Sequence, residues 1–365
     1  MLSSILSVFV ILTVYLSTVG IETDKFNDQI KKKISLINKK IDIDLNKIKL
    51  TLDPFKLKIY AKTIGTTLYF SKRPLELESI KTQVSLSSLI NNNISSSNIK
   101  ASTKSISLND LIKFIQTTNN KPELFILEKI VKKGHVIIDL SLNIDENGKL
   151  KNDYKIEGFI KDASINFLNK ANFKNINFNF NFQKDNYLFN EINFKAEEVK
   201  FISKKLNVKK RKNSYFIDAV IENDQSSLNS NLLKLFNLSF ENILIDDAKF
   251  KTNNEFTLEL DEKFKVKNII LSSDINFTQL KYKKFKILNK YFPVDDLILL
   301  DNHKLNLTYK DKNLSINGEG QIKLNTDEAD EIKYFINKKD KDLSIDSELF
   351  LKNIVLDQQD FLKIF

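Results

Sequence analysis

A chain of 365 residues is longer than a typical single compact domain, which leaves two domains or one elongated sheet, and the elongated sheet fits better. The composition is rich in Ile, Leu, Phe, Asn and Lys, and the net charge of +10 is spread thinly. The densest run, KKLNVKKRK at 204–212, reads as a solvated strand edge, with contact to anionic head groups as the alternative and little case for nucleic acid. The absence of Cys excludes disulfides, iron–sulfur clusters, thiolate metal sites and a Cys nucleophile, while leaving the compartment open.

The first element is LSSILSVFVILTVYLSTV at 2–19. It carries no charge, and as a helix of about 27 Å it is expected to just span a hydrocarbon core. A cleaved signal peptide is the competing reading, but no basic residue precedes the run and Thr18-Val19-Gly20 makes a poor cleavage site. Lys25, Lys31, Lys32, Lys33, Lys39 and Lys40 follow the span, so the positive-inside rule taken literally puts the body in the cytoplasm. Glu22, Asp24 and Asp28 weaken that vote. Residues 1–20 are thus expected to form a transmembrane anchor, 21–134 a membrane-proximal α+β region, and 135–365 an elongated antiparallel sheet.

Within the second region, Phe26, Ile30, Ile34 and Ile37 recur at helical spacing behind Thr23, a candidate N-cap. The period then becomes two. Ile41, Ile43, Leu45, Ile48, Leu50 and Leu52 predict a strand up to Asp53-Pro54, with alternation resuming at Phe55, Leu57 and Ile59 and a turn at Lys72-Arg73-Pro74. The Ser- and Asn-rich stretch 86–106 reads as strands and loops. Ser107 caps SLNDLIKFIQ, with Asp110 at the capping-box position. A second short helix starts at Pro122-Glu123 and ends before Gly134.

From His135 onward the alternation dominates. Leu140, Leu142 and Ile144 are followed by a hairpin turn at Glu146-Asn147-Gly148 and by Tyr154, Ile156 and Ile160. The same pattern returns at Ile176-Phe178-Phe180-Phe182, Phe256-Leu258-Leu260, Leu305-Leu307-Tyr309, Leu314-Ile316, Ile322-Leu324 and Leu343-Ile345. Helices are expected near 228–236 and 328–336. The chain is therefore mainly β, with few short helices to cover a large sheet.

That imbalance is the central clue, because each alternating strand leaves one apolar face that must meet helices, another sheet, or something that is not protein. Two solutions remain open at this level. A closed β-sandwich brings the apolar faces together, and a long curved sheet forms a groove whose lining acyl chains can occupy.

The N-terminal span running into STVGIETDKFNDQI, the repeated short amphipathic strands, SLNDLIKFI, and GFIKDASINFLNK at 158–170 together resemble bacterial AsmA-like proteins over most of the chain. These are inner-membrane-anchored members of the bridge-like lipid-transfer group, and the shared motifs are soft patterns without a catalytic signature. The resemblance implies a curved β-groove in the periplasm that carries or shields phospholipid chains. It also implies support of outer-membrane assembly, with outer-membrane or periplasmic assembly proteins as partners and the N-terminus cytoplasmic. The chain is shorter than many such proteins, so the resemblance also fits a partial member.

Catalysis is not expected. His135 and His303 lie far apart without a nucleophile or ligand motif, and the adjacent pairs Asp246-Asp247 and Asp295-Asp296 read as turn or edge features, since neighbours on a strand point to opposite faces. Gly318-Glu319-Gly320 lies between predicted strands and lacks the further glycine and helix of a phosphate loop. No cofactor or metal is implied. The candidate groove lining is Leu140, Leu142, Ile144, Tyr154, Ile156, Ile176, Phe178, Phe180 and Phe182. That set depends on register, and a one-residue slip would invert it.

Overall fold

A computed structural model describes residues 2–37, 39–86, 98–118, 121–143, 145, 151–167, 171–235, 243–244, 248–283, 297–324, 328–339 and 342–350. Among these, strand dominates, helices are few and short, and neighbouring strands with a defined register are antiparallel. The chain divides into two compact units, residues 1–166 with 177–187, and 167–176 with 188–365.

The first unit begins with helix α1 (Leu2–Thr18), uncharged throughout. It is 17 residues long, and among the described residues no helix is long and apolar enough to cross a membrane. The expected single span is therefore not supported, because at helical rise it falls short of the hydrocarbon thickness. Strand β1 (Ile21–Thr23) leads into α2 (Asn27–Ile37), in agreement with the helical spacing of Ile30, Ile34 and Ile37, but Phe26 precedes the helix and Thr23, the expected N-cap, ends β1, its hydroxyl accepting from the Lys25 N–H at 3.2 Å. The single strand expected over 41–52 is broken into β2 (Ile41–Asp44) and β3 (Ile48–Asp53), both of which pair with β4 (Lys58–Phe70). Phe55 and Leu57 lie in the turn between β3 and β4, where Asp53 Oδ1 accepts from the N–H groups of Phe55 and Lys56 at 3.1 and 3.0 Å. Alternation does not continue there because an Asx turn reverses the chain.

β5 (Arg73–Ser85) returns from β4 through Ser71-Lys72, one residue earlier than expected, with both turn residues at positive φ as a two-residue hairpin requires. β6 (Asn98–Thr103) and β7 (Ile106–Ser107) pair with β8 (Val131–Asn143), which pairs with β9 (Lys155–Phe167). Between β7 and β8 sit α3 (Leu108–Thr118) and α4 (Pro122–Ile130). Ser107 caps α3 as expected, its hydroxyl accepting from the Asp110 N–H at 3.1 Å, and Asp110 answers through its carboxylate, which accepts from the Ser107 hydroxyl at 2.6 Å rather than from the backbone N–H of a full capping box. α3 buries Leu108 and Ile112, and its Phe114 meets Phe70 edge-on. Gly134 does not end a helix. It lies inside β8 at φ 136°, where a Cβ would come within 2.7 Å of both the Ala163 backbone and Leu108. The glycine is what lets α3 approach β8 so closely.

β10 (Ala171–Gln183) and β11 (Asn186–Ala196) follow. In the second unit, β12 (Val199–Arg211), β13 (Ser214–Ser227), β15 (Lys249–Asp261), β16 (Val266–Thr278), β18 (Leu297–Lys310), β19 (Asn313–Leu324), β20 (Asp330–Lys339) and β21 (Asp342–Phe350) pair in that order. β14 (Ile243–Leu244) pairs with β17 (Leu280–Lys283), which pairs with β18. Residues 328–336 were expected to be helical but enter β20, where Ile332 and Ile336 alternate with Lys333 and Asn337 across the sheet. Gly318 and Gly320 lie inside β19 rather than between strands. Helix α5 (Ser230–Leu235) is the one expected near 228–236, and Asn229 Oδ1 accepts from the Leu232 N–H at 2.8 Å at its start. Leu232 is buried with Ala196, Val199, Phe250 and Phe277 in the core of this unit. Ile144, Glu146-Asn147-Gly148, Asp246-Asp247 and Asp295-Asp296 lie outside the described residues.

Candidate functional site

Directly paired residues share a face, so the register of the second unit separates its two surfaces residue by residue. One rung runs Ala219, Phe256, Leu271, Tyr309 and Leu314; the next runs Ile221, Asn254, Ser273, Leu307, Ile316, Ile336 and Ile345. The intervening rungs present the opposite face and read Glu222, Asn253, Asp274, Asn306, Asn317, Phe335 and Asp346, and Lys251, Asn276, Lys304, Glu319, Lys333 and Glu348. One face is therefore mostly apolar over many strands, with Asn254 and Ser273 among its members, and the other is mostly charged and polar, with Phe335 as an apolar member.

Burial along the apolar face is uneven. Phe250, Phe277, Ile298 and Ile322 are buried, whereas Ile217, Leu258, Leu271, Leu307, Ile316 and Ile336 are half-buried and Ile345 is exposed. A fully covered core would bury the second group as well.

Between the two stretches runs a buried polar seam. The Thr252 N–H and hydroxyl both donate to Asn223 Oδ1 at 2.9 and 2.7 Å. Asn223 Nδ2 donates to the carbonyls of Asp224 and Phe250. Asn254 Nδ2 donates to the Ile221 carbonyl and to the Thr252 hydroxyl, and the Ser273 hydroxyl donates to Asn254 Oδ1. Polar atoms on an apolar face are tolerated here because they satisfy one another.

His303, 1% exposed, stacks on Phe277 with ring centroids 5.0 Å apart. Its Nε2 lies 3.0 Å from the Gln321 carbonyl, and the Tyr334 hydroxyl approaches Nδ1 at 3.4 Å. Gly320 and Gly318 leave the room that the His303 and Tyr334 rings fill. Burial lowers the His303 pKa against the opposing effects of the Gln321 carbonyl and Asp301, and burial pushes the Tyr334 phenol up to about 12.

The first unit repeats the pattern. Leu140 pairs with Ile156 and Ala101, and Leu142 with Ile99, all half-buried on one face. Phe180 is buried; its ring end would lie 2.7 Å from a Cβ on Gly158, so the missing side chain seats it. Phe178, Phe180, Phe182 and Tyr187 make successive ring contacts at 6.4, 5.0 and 5.5 Å. The structure thus joins Leu140, Ile156 and Phe180 on one surface, and places Tyr154 half-buried just before β9. Ile176 is buried but belongs to the second unit.

Sequence reasoning missed the polar seam and the His303–Tyr334 cluster, and it did not select the second unit's apolar rungs. The rungs carry the same alternation as the residues it did select. The seam carries no such signal, because Asn, Thr and Ser at inward positions look like interruptions until register aligns them. Among the described residues no cluster of His, Asp and Glu could hold a metal ion. No family model, curated protein or solved structure matches this chain. What fold and surface define is a class, a mainly β chain whose sheet carries one apolar and one polar face with part of the apolar face uncovered.

Proposed function

We propose that the chain is a non-enzymatic, membrane-associated lipid-binding protein whose half-buried apolar face takes up phospholipid acyl chains. The observation that carries the proposal is the register in the second unit, which sets apolar side chains on one face of successive strands without burying them. Each methylene moved from water onto such a face contributes about 0.8 kcal/mol. Head groups remain at the open edge, and no bond is made or broken. On the AsmA-like reading the body stands on the periplasmic side of an inner membrane and supports lipid transport to the outer membrane, with envelope assembly proteins as partners.

The test is native mass spectrometry with lipid extraction on the full chain purified in mild detergent. Phospholipid is expected to co-purify and to be lost in Leu140→Asp with Ile156→Asp, and in Leu258→Asp with Leu307→Asp, all at half-buried positions, while the variants keep their strand signal in circular dichroism. A folded, monodisperse, lipid-free wild-type chain would replace this reading with that of a structural envelope protein.

A further inference from the structure

The β3–β4 hairpin tip stands beside α1, and both are apolar on their outer surfaces. Phe55 is 97% exposed and Leu57 60% exposed, while on α1 Leu6, Phe9, Ile11 and Val14 are each more than half exposed. Leu57 sits at φ 49°, a region costly for a branched side chain. The other turn positions at positive φ are mostly Ser, Lys, Glu or Asp, as at Ser71, Lys72, Glu197, Glu198, Asp311 and Lys312. Phe264 is the apolar exception, and its ring stacks on Tyr215.

Gly20 fixes how helix and hairpin stand together. A Cβ there would come within 2.3 Å of the Leu50 carbonyl oxygen, and its φ of 76° disfavours any other residue, so the end of α1 is pinned to the start of the hairpin's first arm. From that point Phe9 lies about 16 Å up the helix, and Phe55, five residues beyond Leu50, lies at most about 16 Å along the hairpin arm. Phe9, Val10, Pro54, Phe55 and Tyr60 accordingly line one apolar cleft. The helix continues for about 10 Å past the hairpin tip.

From this geometry we infer that α1 and the hairpin tip form a two-pronged wedge that enters a single leaflet of a phospholipid bilayer. Full insertion of α1 would drag Asp53, Lys56 and Lys58 into hydrocarbon, whereas a stop at the tip leaves them at head-group level. The charges fit that depth. Asp53 is turned inward on the N–H groups of its own turn, and Lys56 stays two-thirds exposed on a stem long enough to reach phosphate. This inference deepens the membrane-associated part of the proposed function and does not require that the sheet bind acyl chains.

The chain has no Trp and 10 Tyr, so Phe55→Trp gives the full-length protein a single Trp, excited at wavelengths where Tyr does not absorb, at a fully exposed site. With vesicles of phosphatidylethanolamine and phosphatidylglycerol, its emission is expected to shift to the blue. Lipids brominated near the carbonyl end of the acyl chain should quench it more strongly than lipids brominated near the terminal methyl. Phe264→Trp, on a turn of the second unit, should do neither. Phe55→Asp with Leu57→Asp should weaken vesicle flotation about tenfold or more while leaving the melting temperature of the chain unchanged. Vesicle binding by the Phe55→Trp chain without an emission shift would overturn the wedge in favour of α1 alone. Strongest quenching at the bilayer centre would overturn it in favour of full insertion, and a shift that tracks protein concentration without vesicles would assign the patch to a second copy of the chain. Failure of the acyl-chain reading would show separately, as loss of co-purified lipid with flotation intact.

Discussion

The two units cover their apolar faces by different means. In the first, α3 lies across the sheet, with Leu108 and Ile112 buried against it and Phe114 on Phe70. In the second, the six-residue α5 contributes Leu232, and most of the covering is done by the strands' own large side chains, Phe250, Phe277 and the His303 ring. Helices close a sheet at the cost of chain length, whereas rings stacked across neighbouring strands close only the stretch they reach. Beyond that stretch the second unit switches to a self-satisfied polar seam and then to half-buried leucines and isoleucines.

Substitutions in the closed and open stretches of the same strands should therefore differ sharply. Phe277→Ala removes a buried ring from the closed stretch and should cost about 3–5 kcal/mol in urea unfolding. Hydrogen exchange should localise the loss to the second unit, and uniform loss over both units would end the treatment of them as separate bodies. Gly134→Val introduces a side chain where the Ala163 backbone and Leu108 leave no space, at a φ unsuited to it. It should cost about 3 kcal/mol and free α3 in hydrogen exchange. Asn223→Ala strips the Thr252 N–H and hydroxyl of their acceptor and should cost about 1–3 kcal/mol, testing whether the seam is held by its own hydrogen bonds. Leu258→Ala, in the open stretch, should cost about 1 kcal/mol because no sealed cavity is left behind, and a cost equal to that of Phe277→Ala would mean the stretch is covered.

Acidity provides a milder comparison. The folded His303 pKa lies below its ordinary value of 6.5, so the unfolded chain binds the proton more readily. The contribution of His303 to stability is full above pH 6.5 and declines as pH falls through that value towards the folded pKa. Tyr334 acts at the other end: its stabilising effect is complete below pH 10 and is lost as pH rises towards about 12. Melting curves against pH should show both slopes in the wild type, and His303→Gln should remove the acid one, with the first unit's protection unaffected by either.

Much of the architecture was readable before any coordinates. Period-two runs such as Phe256-Leu258-Leu260 and Leu305-Leu307-Tyr309 are strands because alternation is a local consequence of the pleat. The Ser107–Asp110 cap worked for the same reason, since a cap is decided within four residues. Failures came where distant chain intervenes. A helix is expected near 328–336, yet pairing with β19 and β21 makes residues from Asp330 onward a strand. Gly134 and Gly318 looked like punctuation, but each is small because a side chain from elsewhere, Leu108 or Tyr334, occupies the space.

The sequence by itself determined that the chain is mainly β, that its strands are two-faced, and that an uncharged segment leads it. Each of these follows from spacing along a few residues. Only the tertiary structure decided that Asn223, Thr252, Asn254 and Ser273 meet in one seam, that His303 is sealed between Phe277 and Gly320, and that Phe55 stands free beside α1. Those outcomes depend on register and on which side chains arrive from distant strands, and neither is encoded in any single stretch of the chain.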